Sequence, residues 1–99
     1  MRTVVFAKIS ATQLDNLLFY LEARFSLQTK KKFALKFNGF IKIISEDPET
    51  FKKSDSNVNL RKCVISKQTT LYYKFNNNQI RILSVFDTRQ NPTKIKNIK

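Results

Sequence analysis

The chain has 99 residues, a formal net charge of +12 from 19 Lys and Arg against seven Asp and Glu, one cysteine and no histidine. This length suits one domain rather than two, and a single cysteine excludes an intramolecular disulfide and fits a reducing compartment. The missing histidine removes the ordinary acid–base group of neutral pH. Because so large a cation excess favours polyanions or acidic protein segments, composition predicts a binding protein for an acidic or macromolecular partner.

The first elements predicted along the chain are a short strand and an amphipathic helix. Residues 3–7 are typical of a strand. Ser10 and Gln13 have the spacing of a capping box, which predicts that the helix starts at Ser10. Apolar residues then recur at helical spacing and predict one buried face, formed by Leu14, Leu17, Leu18, Leu21 and Phe25.

A second helix is predicted from about Thr29 to Ser45, after a short break at residues 26–28. Its predicted buried face consists of Phe33, Phe37, Phe40, Ile41 and Ile44. Gly39 weakens this helix without breaking it, and Pro48 ends it. Several lysines occupy the rest of its surface, and they form either a solvated helix face or a binding surface. Two helices joined so closely should form an antiparallel hairpin.

Three strands are predicted in the second half, at residues 60–66, 69–75 and 79–86, after a polar loop at residues 46–59. The asparagines of residues 76–78 suit the turn between the last two strands. The order β-α-α-β-β-β predicts an α+β fold, with a helical hairpin on one face of a mainly antiparallel four-stranded sheet. Residues 1–92 are expected to form the domain and residues 93–99 a basic tail.

The amino-terminal segment has a short apolar stretch before Lys8, which is too short for the core of a signal peptide. Nothing later in the sequence approaches a membrane span. The expected location is therefore the cytoplasm, without a membrane partner.

Little in the sequence supports metal, cofactor or acid–base chemistry. Cys63 has no second cysteine with which to form a zinc site, and within a strand it is typical of a buried structural thiol. The carboxylates are scattered and form no evident acid–base pair, and a single glycine excludes a glycine-rich phosphate loop. The sequence therefore predicts no metal, no cofactor and no clear catalytic site.

Cations around the carboxy-terminal strands are the remaining candidates. Arg61 and Lys62 open one strand, Lys67 and Lys74 flank the next, Arg81 lies on the central strand and Arg89 follows it. Arg81 lies in an otherwise apolar strand, where it either faces an open groove or lies on the solvent face and pairs with a carboxylate such as Asp87. Tyr72 and Tyr73 either stack on bases or pack in the core and across strands. These alternatives stay open at the level of sequence.

Three segments of the second half resemble the RelE/ParE toxins of bacterial type II toxin–antitoxin systems. They are residues 59–65 (NLRKCVI), 71–74 (LYYK) and 80–92 (IRILSVFDTRQNP). The preceding strand and two helices fit the same family, so the resemblance covers nearly the whole chain. It implies the β-α-α-β-β-β fold, a role in growth inhibition and plasmid stabilisation, and neutralisation by a cognate antitoxin that is expected to be acidic.

The family divides by mechanism. RelE-like members cleave messenger RNA in the ribosome with Lys, Arg and a late Tyr, or with a Glu/His set, whereas ParE-like members inhibit DNA gyrase by binding. This chain has Thr70 where RelE-like toxins carry an arginine, and neither Tyr nor His follows Phe86. Acid–base catalysis without a positioned proton donor loses roughly two to four orders of magnitude. The resemblance therefore implies a ParE-like, non-enzymatic toxin whose target contacts are Arg61, Lys62, Arg81 and Arg89.

Two alternatives remain open. The first is a ribosome-dependent endoribonuclease, in which Arg61, Lys62 and Arg89 grip phosphate and stabilise charge in the transition state. The second is a plain nucleic-acid-binding module that uses the lysine face of the second helix and shows salt-sensitive affinity.

Overall fold

The computed structural model describes residues 1–54 and 60–90. Its elements, in chain order, are β1 (Thr3–Phe6), α1 (Lys8–Arg24), α2 (Leu27–Glu46), a 3-10 turn (Pro48–Thr50), β2 (Arg61–Val64), β3 (Thr69–Phe75) and β4 (Gln79–Asp87). The predicted element order and the α+β class are confirmed. The expected basic tail at residues 93–99 and part of the predicted polar loop, residues 55–59, lie outside the described residues.

The four strands form one sheet in the order β1-β4-β3-β2. β1 runs parallel to β4, whereas the β4–β3 and β3–β2 pairs are antiparallel. The sheet is therefore mixed but mainly antiparallel, as predicted. Because β4 has a neighbour on each side, its core-facing residues Ile80, Ile82 and Val85 are almost fully buried.

A β-bulge interrupts β4 and changes which face its later residues occupy. Tyr72 of β3 is opposite Ser84, but the next residue of β3, Tyr73, is opposite Ile82, so Leu83 has no direct partner. One extra residue in a strand reverses the alternation beyond it. Arg81 is consequently exposed on one face while Asp87 is buried on the other. The suggested pairing of Arg81 with Asp87 is wrong, because the two residues lie six positions, or about 20 Å, apart along β4 and face opposite sides of the sheet.

The core lies between the helical hairpin and one face of the sheet. α1 contributes the buried Leu17 and Leu21, and the predicted Leu14 and Leu18 pack against the same cluster. Phe25 was predicted to belong to this face but is 55% exposed. α1 ends at Arg24, so Phe25 lies beyond the helical repeat, and its ring makes a T-shaped contact with the Tyr20 ring at a centroid distance of 6.1 Å.

α2 contributes the aromatic half of the core. The predicted Phe33, Phe37 and Ile44 are buried, and Phe40 and Ile41 pack against them. The Phe37 ring stacks on Phe6 of β1 at a centroid distance of 6.3 Å, which links the second helix to the sheet. The spacing of apolar residues thus predicted the buried face of α2 correctly.

Both helices begin earlier than predicted. α1 begins at Lys8 with Ala7 as its N-cap, so the predicted capping box at Ser10 and Gln13 does not form. α2 begins at Leu27, because Ser26 is its N-cap and its hydroxyl oxygen accepts a hydrogen bond from the backbone N–H of Thr29 at 3.0 Å. Neither helix has the length and apolar character that would span a bilayer, as far as the described residues extend.

Ser10 and Gln13 connect α1 to β4 instead of capping the helix. The buried Ser10 hydroxyl donates to the carbonyl oxygens of Ala7 and Ile82, at 2.7 and 2.9 Å. The Gln13 side-chain oxygen accepts from the backbone N–H of Val85 at 2.8 Å. β1 pairs with β4 only as far as Ile82. Beyond Ile82 this edge of β4 has no neighbouring strand, and Gln13 supplies the hydrogen-bond acceptor there.

Candidate functional site

The face of the sheet opposite the helical hairpin carries a cationic surface. We call it the open face and define it by the outward-pointing strand residues Val5, Lys62, Val64, Thr70, Tyr72, Lys74, Arg81 and Phe86. Three of these eight residues are cations and none is a carboxylate, and the chain has no histidine. The open face therefore suits contact with an anionic partner, but it offers no carboxylate or imidazole as a proton acceptor.

Lys74 and Arg81 form a like-charge pair at one end of the open face. They lie directly opposite each other on β3 and β4, both are exposed, and neither makes an ion pair within residues 1–54 and 60–90. They border a cleft of about 100 Å³ that is also lined by Phe75, Asn76 and Gln79. Because like charges directly across a strand pair are destabilising, an anion in this cleft would relieve the repulsion.

The sequence marks Lys74 only as a cation that flanks a strand, and Lys74 was not among the predicted target contacts. Counting outward from the predicted three-residue turn at 76–78 would pair Lys74 with Ile80, whereas the structure closes the hairpin with Asn77 and Asn78 alone and so pairs Lys74 with Arg81. Its importance depends on this register and not on any local motif.

Lys62 and Tyr72 occupy the middle of the open face. They are direct partners on β2 and β3, and Tyr72 precedes Lys74 by two residues on the same face, or about 7 Å along the strand. Tyr73 points into the core instead, where its hydroxyl donates to the carbonyl oxygen of Pro48 at 2.6 Å and burial raises its pKa to about 12. Of the two tyrosines, only Tyr72 is therefore placed to meet a partner on the open face.

Arg61 points to the opposite face from Lys62, since neighbouring residues of a strand alternate. Its guanidinium donates to the carbonyl oxygen of Phe51 at 2.9 Å and lies 5.6 Å from the centre of the Phe75 ring. The guanidinium of Arg2 lies 5.4 Å from the same ring. Arg61 thus helps to hold the segment before β2 against the sheet.

Arg89 is held by Asp87 at the end of β4. Asp87 is 1% exposed, and its carboxylate accepts hydrogen bonds from the Arg89 backbone N–H, from Nε and Nη2 of the Arg89 guanidinium, and from the Thr69 hydroxyl at 2.5 Å. Burial by itself would raise the pKa of Asp87, but the hydrogen bonds from Arg89 and Thr69 outweigh burial and hold that pKa below its usual value. The hydrogen bond with Asp87 correspondingly raises the pKa of Arg89.

The four predicted contact residues therefore do not form one cluster. Lys62 and Arg81 share the open face, whereas Arg61 and Arg89 make contacts within the chain. The three residues proposed for a nuclease site, Arg61, Lys62 and Arg89, are not brought together, because Arg61 and Lys62 point in opposite directions.

The part of the chain that the structure describes contains no group of three His, Cys, Asp or Glu side chains arranged to hold a metal ion. Cys63 is fully buried in β2, as predicted, and burial raises the pKa of its thiol to about 11. This environment suits a structural thiol.

No protein-family model and no curated protein matches the chain. Its fold, however, is similar to that of several solved structures. The chromosomal ParDE TA system from P. aeruginosa gives a TM-score of 0.73 at 11% identity over 88% of this chain and 96% of that chain. The YoeB dimer from Staphylococcus aureus gives a TM-score of 0.65 at 22% identity, over 86% of this chain and 94% of that chain.

The DinJ-YafQ complex from E. coli gives a TM-score of 0.61 at 9% identity, over 92% of this chain and 98% of that chain. Nearly the whole of each neighbour is matched, so the likeness concerns a complete domain and not a shared motif. The two helices and the mixed four-stranded sheet of this chain therefore share the fold of the ParDE, YoeB and YafQ structures.

Proposed function

We propose that the chain is the toxin of a type II toxin–antitoxin system, which acts by binding and inhibiting a macromolecular target in the manner of gyrase inhibitors. A cognate, acidic antitoxin neutralises it. Two of the similar structures are named as the ParDE TA system and the DinJ-YafQ complex, and their matched chains are covered over 96% and 98% of their lengths. That similarity supports the toxin role and the antitoxin partner.

The proposal that the chain inhibits its target by binding rests on the chemistry of the open face. Lys62, Lys74 and Arg81 provide positive charge there, and the defined surface includes neither carboxylate nor histidine. Such a surface can hold an anionic partner, and its candidate proton-transfer groups are limited to lysine and tyrosine side chains, without a carboxylate or an imidazole. The endoribonuclease alternative is less well supported, because Arg61 and Arg89, which it requires, make hydrogen bonds to Phe51 and Asp87.

The proposed toxin domain comprises residues 1–92 and works in the cytoplasm, where its target and its antitoxin are found. Growth inhibition by such a protein provides the physical basis for plasmid stabilisation, since cells that lose the antitoxin gene cease to grow.

Regulated expression in a bacterial host tests this function. We expect growth arrest with filamentation and DNA-damage signalling, while messenger RNA stays intact. Prompt loss of translation with messages cut inside codons would instead identify a ribosome-dependent nuclease. Absence of any growth arrest from a folded, well-expressed protein would contradict both toxin mechanisms.

A double variant, Lys74→Gln with Arg81→Gln, tests the role of the open face. Both side chains are exposed, so the fold should be kept while target affinity falls by about tenfold or more. The matched control is Lys8→Gln with Lys53→Gln, which removes the same charge from exposed positions outside the open face. Equal loss of toxicity in both double variants would show that net charge, and not the open face, governs inhibition.

A further inference from the structure

The outer face of α2 is a second exposed surface with a defined composition. We define it by exposed residues that point away from the core, namely Lys31, Lys32, Leu35, Lys36, Gly39, Lys42, Ile43 and, in the last turn, Glu46. Leu35 is 74% exposed and Ile43 is 44% exposed, and each lies one helical turn from Gly39. The surface therefore has an apolar row with a glycine at its centre and lysines on both sides.

Gly39 has no role in folding that the structure reveals. It lies in the interior of a 20-residue helix, where glycine is among the least favourable residues. Its backbone φ is not positive, and an added β-carbon would meet no atom within 4 Å. Neither backbone conformation nor packing within the described residues therefore requires glycine, whereas close approach by a second chain would.

The row Leu35–Gly39–Ile43 has the geometry of a helix-packing surface. Residues four apart form a ridge along a helix, and two helices pack by inserting the ridges of one into the grooves of the other. The missing side chain at Gly39 leaves a notch in the ridge of α2. A partner helix can enter at this notch, and Leu35 and Ile43 then provide apolar contact on either side of it.

The charges around this row indicate the chemistry of the partner. Lys31, Lys32, Lys36 and Lys42 make no ion pair within residues 1–54 and 60–90, whereas Lys30, at the edge of the hairpin, pairs with Glu22 at 3.0 Å. A second copy of this chain is a poor occupant, because each copy carries a net charge of +12. Four lysines against the single carboxylate of Glu46 leave this face cationic, so an acidic chain complements it.

We propose that the outer face of α2 is the docking site for an acidic amphipathic helix of the antitoxin. The partner's backbone crosses at Gly39, its apolar residues cover Leu35 and Ile43, and its carboxylates face the lysines on both sides. The identity of the partner as the antitoxin rests on the proposed function, whereas the location of the docking site rests on α2 itself.

The variant Gly39→Gln tests the site, because it fills the notch with a good helix former and should make the isolated protein more stable. The probe is the purified product of the neighbouring open reading frame. We expect the dissociation constant to rise tenfold or more, and the variant to stay toxic but no longer be neutralised by co-expression of that product. Ala23→Gln places the same side chain on the exposed surface of α1 and should leave the affinity unchanged.

A charge variant, Lys32→Glu with Lys36→Glu, should weaken the same binding, most strongly at low salt. Unchanged affinity in both the Gly39→Gln and the charge variants would overturn the docking site while leaving the toxin function intact. The docking site is also overturned if the neighbouring product does not bind the wild-type protein, or if the charge variant loses affinity only for single-stranded nucleic acid. A wild-type protein that binds this product through α2 without arresting growth would overturn the toxin function alone.

Discussion

Asp87 is a buried carboxylate that holds the end of β4 and the turn after it. Its oxygens accept hydrogen bonds from Thr69 on the neighbouring strand and from the backbone and side chain of Arg89. It occupies this buried position because the extra residue Leu83 reverses the alternation of β4 before Asp87 is reached. A single inserted residue thus decides whether this carboxylate faces the core or the solvent.

We predict that Asp87→Asn destabilises the protein by about 2 kcal/mol at pH 7. The amide keeps the shape but loses the charge that faces Arg89, and charge-assisted hydrogen bonds contribute about 1.5–3 kcal/mol. Urea unfolding of both proteins measures the difference. A loss of under about 0.5 kcal/mol would show that Arg89 finds equivalent partners in solvent.

The same pair predicts how stability depends on pH. Because the folded-state pKa of Asp87 lies below its unfolded value of about 3.9, its contribution to stability is present above that value and is lost as the pH falls through the folded-state pKa. The stability gap between wild type and Asp87→Asn should therefore be constant from about pH 5 to 8 and shrink below about pH 4. A gap that widens in acid would contradict this assignment.

Cys63 should be unreactive in the folded protein. With its pKa raised to about 11 by burial, about one thiol in a thousand is ionised at pH 8, against roughly a quarter for a free cysteine. We predict that a thiol-specific reagent labels the native protein at least about 100 times more slowly than the urea-unfolded protein. Similar rates for both forms would mean that β2 opens readily at the sheet edge.

Among the elements, the contact between α1 and β4 depends on side chains that bond to backbone. β4 continues beyond the end of β1, and Gln13 accepts from the N–H of Val85 where β1 no longer can. Ser10 meanwhile donates to the carbonyl oxygen of Ile82. Together these two residues fix the position of α1 along the edge of β4.

We predict that Gln13→Ala destabilises the protein by about 1–3 kcal/mol, because the Val85 N–H loses its acceptor at a half-buried edge. The matched control is Gln28→Ala in the first turn of α2, since Gln28 is exposed and makes no side-chain hydrogen bond within the described residues. Thermal or urea unfolding compares the two. Equal effects would mean that water replaces the Gln13 side chain at no cost.

At the scale of the whole molecule, the net charge of +12 makes the surface charges repel one another, and dissolved salt screens this repulsion. At an ionic strength of about 0.01 M the Debye length is about 30 Å, which exceeds the radius of gyration of 13.4 Å, and at 0.15 M it falls to about 8 Å. We predict that the thermal midpoint rises over this range by about 4–8 °C, equivalent to about 1 kcal/mol.

The control for this prediction is a less charged variant, Lys8→Glu with Lys53→Glu. Each reversal removes two charges, so the net charge falls from +12 to +8 and the salt response should become smaller. If the thermal midpoint of neither protein depends on the sodium chloride concentration, repulsion among the surface charges does not measurably destabilise the fold.

The sequence by itself determined the order of the elements, the α+β class and most of the core. Helical spacing marked the buried faces of both helices, since a period of 3.6 residues is local information. The burial of Cys63 was likewise predicted from its place within a strand. The pairing of Lys74 with Arg81 did not follow from the sequence, because the predicted turn at residues 76–78 is one residue longer than the observed loop and shifts the register by one.

The tertiary structure alone decided the face on which each candidate cation lies and the roles of Ser10 and Gln13. Because side chains alternate along a strand, Arg61 and Lys62 point to opposite faces of the sheet. Only the position of the helical hairpin shows that Lys62 faces outward and that Arg61 faces Phe75. The bulge at Leu83 separates Arg81 from Asp87 in the same way. The physical reason is that register and bulges depend on contacts between distant strands, which no local repeat encodes.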